Sequence, residues 1–358
     1  MSIKSSRHGG DVFGLSEEEQ DKVFDFSINI NPLGLSPKGR EALMAHWEKE
    51  TLRYPDVECR ALKKSLSIRY GISEESMALG NGATELMYKL VELLHPKKVI
   101  VPAPSFSEYR LSAEAAGCPV DSFLLTADRG FVLPLEEIEK KLLPHSLIYL
   151  GHPNNPDGQL LSPSDFEAVL HLVKKKESFL IIDESFIDFV GDDVSYRRVL
   201  VNETCGAVVM SLTKFYAVPG LRIGAAFLHP VLAERLRDTL IPWNVNGLAQ
   251  SYMTAAAQDL DYIKDSRGYC QTEREKLSAA LEALDFIKVL PGSVNFILCQ
   301  LIGKFETAGK LQKALMPYHI FIRQCGNYEG LGETYFRVAV RTEEENQILI
   351  KALGAVEN

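Results

Sequence analysis

The chain has 358 residues, 46% hydrophobic and 24% charged, which is long enough for one large core and a smaller one and excludes a disordered or low-complexity polypeptide. A formal net charge of -9 argues against nonspecific binding to nucleic acid or an anionic membrane, since both need an excess of Lys and Arg to neutralise phosphates. The six cysteines (Cys59, Cys118, Cys205, Cys270, Cys299, Cys325) lack the paired spacing of a zinc site, the N-terminus shows no apolar signal segment and no apolar run is long enough to span a bilayer, so a reduced, cytoplasmic, metal-free protein is expected.

Near the N-terminus, Arg7-His8-Gly9-Gly10 combines two donors with two glycines that let backbone close on an anion, although such a segment is more often a mobile tail than a binding clamp. Ser27-Ile28-Asn29-Ile30-Asn31-Pro32-Leu33-Gly34 reads as a punctuated loop. Helices are expected around 37–50, from Ala42, Leu43 and Trp47, and before Gly71, from Leu62, Leu66 and Tyr70. Between them, Tyr54-Pro55 forces extended backbone and presents Tyr54 from a loop, either as a phosphate donor or simply as an exposed tyrosine. Gly82-Ala83-Thr84 precedes a helix with inner face Leu86, Leu90, Leu93 and Leu94. Small residues there let a phosphate approach free N–H groups, but the Gly-Lys-Ser/Thr ending of a Walker loop is missing and the alternative is a plain turn.

Four apolar runs then predict buried strands whose ends carry the informative residues. Lys98-Val99-Ile100-Val101-Pro102 leads to Phe106 and Tyr109, either of which suits stacking on a flat heterocycle or packing in a core. Leu147-Ile148-Tyr149-Leu150 leads to Asn154-Asn155-Pro156-Asp157-Gly158, where the Asn155 amide can donate to a phenolate oxygen. Phe179-Leu180-Ile181-Ile182 ends in Asp183, a carboxylate that must meet a positive partner if it is buried. Ala207-Val208-Val209-Met210 leads to Ser211, Thr213, Lys214 and, through a Pro-Gly turn, Arg222. An amine able to form an imine, beside phosphate donors at the carboxyl end of a strand, is what pyridoxal phosphate (PLP) requires, because that cofactor carries an aldehyde and a phosphate; a protonated pyridine nitrogen is the cation Asp183 calls for.

Strands alternate with helices from about residue 80 to 228, which predicts an α/β fold with a mostly parallel sheet. Further on, a long helical stretch past Leu281, strands at Phe296-Ile297-Leu298, Ile320-Phe321-Ile322-Arg323 and 335–340, and a helix capped by Thr342-Glu343-Glu344-Glu345 predict a smaller α+β unit. The expected division is a large domain over 46–245 and a small one made of 1–45 and 246–358.

Taken together in this order, Gly82-Ala83-Thr84, Phe106, Asn155, Asp183, Ser211, Lys214 and Arg222 resemble the fold type I PLP enzymes of the class I/II aminotransferase family, over essentially the full length. The resemblance implies Lys214 as the covalent anchor of the cofactor, Asp183 on the pyridine nitrogen, Asn155 on the phenolic oxygen and Phe106 on the ring. Ser211, Thr213, Arg222 and the Gly82-Ala83-Thr84 turn would hold the phosphate, with Tyr54 reaching it from the other subunit of a homodimer. Arg337, in Phe336-Arg337-Val338, matches the family arginine for a substrate α-carboxylate.

Two branches compete: threonine-phosphate decarboxylases and histidinol-phosphate aminotransferases. Arg7-His8-Gly9-Gly10, the run to Asn31 and Leu33, Asp183-Glu184-Ser185-Phe186 and Pro242-Trp243-Asn244-Val245-Asn246 lean to the first; Phe186 stands where the aminotransferases usually have a tyrosine. That branch implies decarboxylation of L-threonine O-3-phosphate to (R)-1-aminopropan-2-yl phosphate for cobalamin synthesis. Arg337, Arg323 and the backbone near Asn31 to Leu33 would hold the carboxylate, and Arg7 and His8 the substrate phosphate. Gln324 and Asp157 depart from the branch pattern and bring L-serine O-phosphate into competition. A PLP-fold protein without catalysis is the remote alternative, disfavoured by the presence of both Lys214 and Asp183.

Overall fold

The structure, a computed structural model, describes residues 9, 10 and 12–357. Its strands are β1 (Phe24–Asp25), β2 (Met77–Gly80), β3 (Val99–Ala103), β4 (Val120–Leu124), β5 (Leu147–Gly151), β6 (Phe179–Asp183), β7 (Gly206–Ser211), β8 (Gly224–Leu228), β9 (Ile287–Val289), β10 (Phe296–Leu301), β11 (Ile320–Phe321), β12 (Arg323–Gln324) and β13 (Tyr335–Ala339). One seven-stranded sheet has the order β2-β8-β7-β6-β5-β3-β4. β4, β3, β5, β6 and β7 pair in parallel, while β8 runs antiparallel to both β7 and β2.

Continuous apolar runs suit this sheet because both of its faces are covered. Ile148, Leu180, Ile182 and Val208 enter the core on one side; Leu147, Tyr149, Ile181 and Val209 enter the core on the other, following the two-residue period of a strand. The helix Ala83–Leu94 buries Leu86 and Leu90 against the second core, with Leu93 and Leu94 at its margin. Ahead of it, the helix Arg60–Tyr70 stops at Gly71, whose left-handed φ of 65° suits glycine.

A second, antiparallel sheet has the order β12-β13-β10-β9, and β1 pairs in parallel with β11. The run Ile320-Phe321-Ile322-Arg323, expected as one strand, is divided between sheets. The reason is local: the Ile322 N–H donates to Gln312 Oε1 at 2.8 Å instead of to a strand neighbour. Phe26 lies in the core of the small sheet and its carbonyl accepts from Ala339 N at 2.8 Å, so the N-terminal segment is carried by that unit. The helical stretch after residue 246 is two helices, Gly247–Ala256 and Leu260–Glu282. Ala249, Tyr252 and Met253 of the first belong to the core behind the large sheet, so continuous apolar packing crosses the 245/246 position. Thr342 caps the helix Glu343–Glu357: its hydroxyl accepts from Glu345 N at 3.3 Å, and its N–H donates to Glu345 Oε2 at 3.2 Å. Among the described residues no helix is long and apolar enough to cross a membrane.

Candidate active site

The carboxyl ends of β5, β6 and β7 lie side by side because these strands are parallel neighbours, with Asp183 in register with Gly151 and Val209. They open into a cavity of about 1030 Å³ whose lining includes Phe106, Asn155, Lys214, Arg222, Arg323 and Arg337. Asp183 closes β6 and is 7% exposed. Tyr109 donates its hydroxyl to Asp183 at 2.8 Å, and Ser185 donates its N–H at 2.9 Å and also its hydroxyl. Among the described residues no Lys, Arg or His comes within ion-pair distance of it, whereas the neighbouring buried carboxylates have cations: Arg69 lies 3.2 Å from Asp188 and Arg197 3.8 Å from Glu184.

Lys214 sits in the turn after β7, and its Nζ donates to Ser211 Oγ at 2.9 Å; Ser211 and Thr213 share a hydroxyl hydrogen bond of 2.8 Å. The turn is held by Val218 N–H donating to Thr213 O at 3.0 Å and by Asn31 N–H donating to Lys214 O at 3.0 Å. Burial pushes the Lys214 amine down to about 8; the Arg222 charge acts in the same direction and Asp183 opposes it.

Beside this turn, the helix Ala83–Leu94 starts at Gly82 with no side chain capping it. A Cβ on Gly82 would lie 2.5 Å from Arg222 Nη2, and one on Gly224 would lie 2.4 Å from Ala83 N, so both glycines are needed for the close approach of loop, helix and guanidinium. Glu85, in the first turn, is drawn aside: its carboxylate accepts from Asn81 N at 2.6 Å and Asn244 Nδ2 at 2.7 Å.

Arg323 and Arg337 are register partners across β12 and β13, and each is 5% exposed. Arg337 donates through Nη1 to Asn155 Oδ1 and through Nη2 to Ser27 O at 3.4 Å; its Nε has no partner, and it makes no ion pair among the described residues. Arg323 donates to Gln324 O at 2.7 Å and Asn327 Oδ1 at 2.9 Å, with its guanidinium 5.2 Å from the Tyr328 ring centre. Phe186, 6% exposed, packs edge-on against Phe296 at 5.0 Å.

A family model described as aminotransferase class I and II matches residues 21–353. The chain belongs to that family. It is 34% identical over 98% of its length to the adenosylcobalamin biosynthesis bifunctional protein CobDQ of Leptospira interrogans, and spans 41% of that protein. It is 32% identical to the threonine-phosphate decarboxylase of Salmonella typhimurium, with 99% of this chain and 98% of that one covered. The solved histidinol-phosphate aminotransferase of Clostridium acetobutylicum is 31% identical and superimposes with a TM-score of 0.85 over 93% of this chain and 98% of its own. The fold is that of the fold type I PLP-dependent aminotransferases, and this class I and II family member is a PLP-dependent enzyme.

Its residues fit that cofactor. Asp183 is a buried carboxylate surrounded by hydroxyl and amide donors with no cation at ion-pair distance among the described residues, which leaves the place of the positive partner to the ligand. The uncapped helix start at Gly82 and the adjacent Arg222 suit a phosphate, and Lys214 has its depressed amine in the same cavity.

Other expected positions lie off the cavity or outside the described residues. Tyr109, the alternative to Phe106 for stacking, instead lies beneath the cavity, stacked on Tyr149 at 4.8 Å with its hydroxyl on Asp183. Asn31 donates its amide to Phe215 O, Tyr262 OH and Ser266 Oγ, and its Oδ1 accepts from Leu33 N; neither Asn31 nor Leu33 lines the cavity, which the segment reaches at Ser27 to Ile30. Tyr54 is 81% exposed beside Trp243, ring centres 4.8 Å apart. Arg7 and His8 lie outside the described residues. Asp157 turns into its own loop, accepting from Gln159 N at 2.8 Å and from Asn154 Nδ2, and Gln324 faces Gly309 on the opposite side of β12 from Arg323. Neither touches the cavity, so the two departures that brought serine phosphate into competition are matters of packing. Tyr328 was not legible as a site residue, nor Tyr109 as the partner of Asp183, because no short motif links a side chain to a partner more than seventy residues away.

Proposed function

We propose that this enzyme decarboxylates a phosphorylated amino acid, L-threonine O-3-phosphate first and L-serine O-phosphate second, to an aminoalkyl phosphate. The observation that carries the reading is the pair Arg323 and Arg337, two buried guanidiniums in register at one cavity, which suits a small substrate with two anionic groups. The names of the Salmonella and Leptospira relatives support it, the latter pointing to cobalamin synthesis and thus to (R)-1-aminopropan-2-yl phosphate as product. The likeness to a histidinol-phosphate aminotransferase supports transamination as the second reading.

In this reading Lys214 anchors the cofactor, Asp183 faces its pyridine nitrogen, Asn155 its phenolic oxygen and Phe106 its ring; Ser211, Thr213, Arg222 and Gly82-Ala83-Thr84 hold its phosphate. When bound, PLP supplies a sink for the electron pair of a broken Cα bond. Which Cα bond is lost would be selected by how this chain's residues orient the substrate. Arg337 would grip the α-carboxylate and fix its rotation about Cα, and Arg323 would take up the remaining charge, so that the carboxyl group is the one presented for loss as CO2. Lys214 Nζ, freed when the substrate amine takes its place on the cofactor, would be the group placed to return a proton to Cα. Phe186 brings no hydroxyl to the cavity wall.

Tyr54, exposed beside Trp243 and close in sequence to exposed Trp47 and Leu52, is assigned to the site of a second copy, which sedimentation at twice the 39.9 kDa chain mass would support. The deciding experiment supplies PLP with threonine phosphate, then serine phosphate, without a keto acid. Release of CO2 with one aminoalkyl phosphate per turnover is expected; turnover only after 2-oxoglutarate is added refutes the decarboxylase.

A further inference from the structure

The loop between β12 and β13, residues 325–334, leaves the small sheet and touches the large one at the cavity wall. Its Asn327, Tyr328 and Glu329 line the cavity. The Glu329 carboxylate accepts from Arg110 Nη2, on the helix Glu108–Ala115, at 2.7 Å, and from the Ser122 hydroxyl on β4. Next to it, Gly330 has a left-handed φ of 86°, and a Cβ there would lie 2.9 Å from Ala103 O at the end of β3. Backbone therefore meets backbone at the loop tip, and a glycine is what permits it.

The same loop holds Arg323. Asn327 Oδ1 accepts from Arg323 Nη2 at 2.9 Å, and the Tyr328 ring centre lies 5.2 Å from the guanidinium. Tyr328 also donates its hydroxyl to Asn155 Oδ1 at 3.3 Å, the atom that Arg337 holds from the other side. Three consecutive residues thus connect Arg323 to the large sheet: Asn327 fixes the guanidinium, Tyr328 bridges to Asn155, and Glu329 fastens the loop. Arg110 and Glu329 are 35% and 50% exposed, and a pair exposed to that degree contributes under about 1 kcal/mol to stability. So weak a pair adds little to the fold, yet it is directional enough to choose where a loop tip rests.

We propose that Glu329 is a positioning residue: by fastening the 325–334 loop to Arg110 and Ser122 it sets Arg323 against the substrate's phosphate. The inference rests on the reading in which Arg323 takes up the charge that remains once Arg337 has the α-carboxylate. The phosphate keeps its charge throughout the reaction, so its grip is the same in the ground state and the transition state. Loss of the fastening therefore raises KM more than it lowers kcat. Both partners of the Arg110–Glu329 pair reach solvent, so salt screens it.

The test compares the wild-type holoenzyme with Glu329→Ala, with Arg110→Glu, and with the exchange of charges, Arg110→Glu together with Glu329→Arg. For Glu329→Ala, KM for threonine phosphate should rise about fivefold or more while kcat stays within about twofold. Affinity for L-threonine, which lacks the phosphate, is read by titration of the cofactor absorbance and should change by less than about twofold. The thermal midpoint should stay within about 2 °C, since an exposed pair carries little stability. Arg110→Glu sets two carboxylates together and should lose more than Glu329→Ala; the exchange should recover most of that loss. The ratio of Glu329→Ala to wild-type KM should shrink towards one as salt is raised. Equal weakening of both ligands, no weakening of either, no recovery in the exchange, or a lowered thermal midpoint accompanying the loss overturns the proposal. If the wild type releases no CO2 from either phosphoamino acid, the decarboxylase reading fails separately. Glu329 is then judged by the absorbance titration alone, which needs no turnover: selective weakening of threonine phosphate over L-threonine in Glu329→Ala supports it, and parallel affinities overturn it.

Discussion

Lys214 owes its reactivity to two opposed effects, burial that favours the neutral amine and the Asp183 charge that favours the cation, with burial the larger. Only the neutral amine has the lone pair that attacks an aldehyde. Capture of PLP by the cofactor-free protein should therefore accelerate as pH rises, with a midpoint near 8, and Asp183→Asn should move that midpoint down. Stopped-flow absorbance measures both; a midpoint at the ordinary lysine value of 10.5 would refute the account. Tyr109 holds Asp183 from below, so Tyr109→Phe removes one charge-assisted hydrogen bond and should raise the PLP dissociation constant about tenfold, measured by titration. At this scale Lys214 and Asp183 were legible, since each stands at the end of an apolar run. Tyr109 was legible as an aromatic at a strand exit but not as a hydrogen-bond partner, since that contact spans 74 residues.

Among elements, the β8 start and the helix Ala83–Leu94 depend on a contact between backbones. A methyl at Gly224 would lie 2.4 Å from Ala83 N and 2.6 Å from Gly82 C, and neither atom can rotate away. Gly224→Ala should cost about 1–3 kcal/mol in denaturant unfolding and weaken PLP binding, whereas Gly220→Ala, which meets nothing within 4 Å, is the control expected to do neither. The buried parallel strands were readable as four apolar runs. The antiparallel course of β8 was not, because strand direction leaves no trace in local periodicity. Nor was the break at Ile322, which one side-chain amide from Gln312 imposes.

For the molecule as a whole, two buried groups give acid stability opposite slopes. Burial pushes His152 down to about 4 from 6.5; Leu161 N–H donates to its Nδ1 at 2.9 Å and its Nε2 lies 2.9 Å from Val194 O. The native ring stays neutral while the unfolded one takes a proton, so stability falls as pH drops from 6.5 towards about 4. Burial pushes Asp157 up to about 6 from 3.8, so its native carboxyl keeps a proton the unfolded one has lost, and stability falls as pH rises through that window. Each effect is on the order of 3 kcal/mol, and they offset between about pH 4 and 6. Asp157→Asn should expose the His152 slope: urea midpoints of the variant should drop more steeply with acid than those of the wild type, and parallel curves would refute this. Composition and apolar periodicity were enough to give the α/β class, and the order of Gly82, Asp183, Lys214 and Arg222 carried the resemblance that pointed to the family and the cofactor, because strand burial and covalent chemistry demand particular residue types at particular places. Only the tertiary structure decided that Arg323 and Arg337 stand in register and that Asn31, Asp157 and Gln324 lie off the cavity. Those are facts of side-chain direction, set by how two sheets and a returning N-terminal segment meet, and no local pattern encodes that meeting.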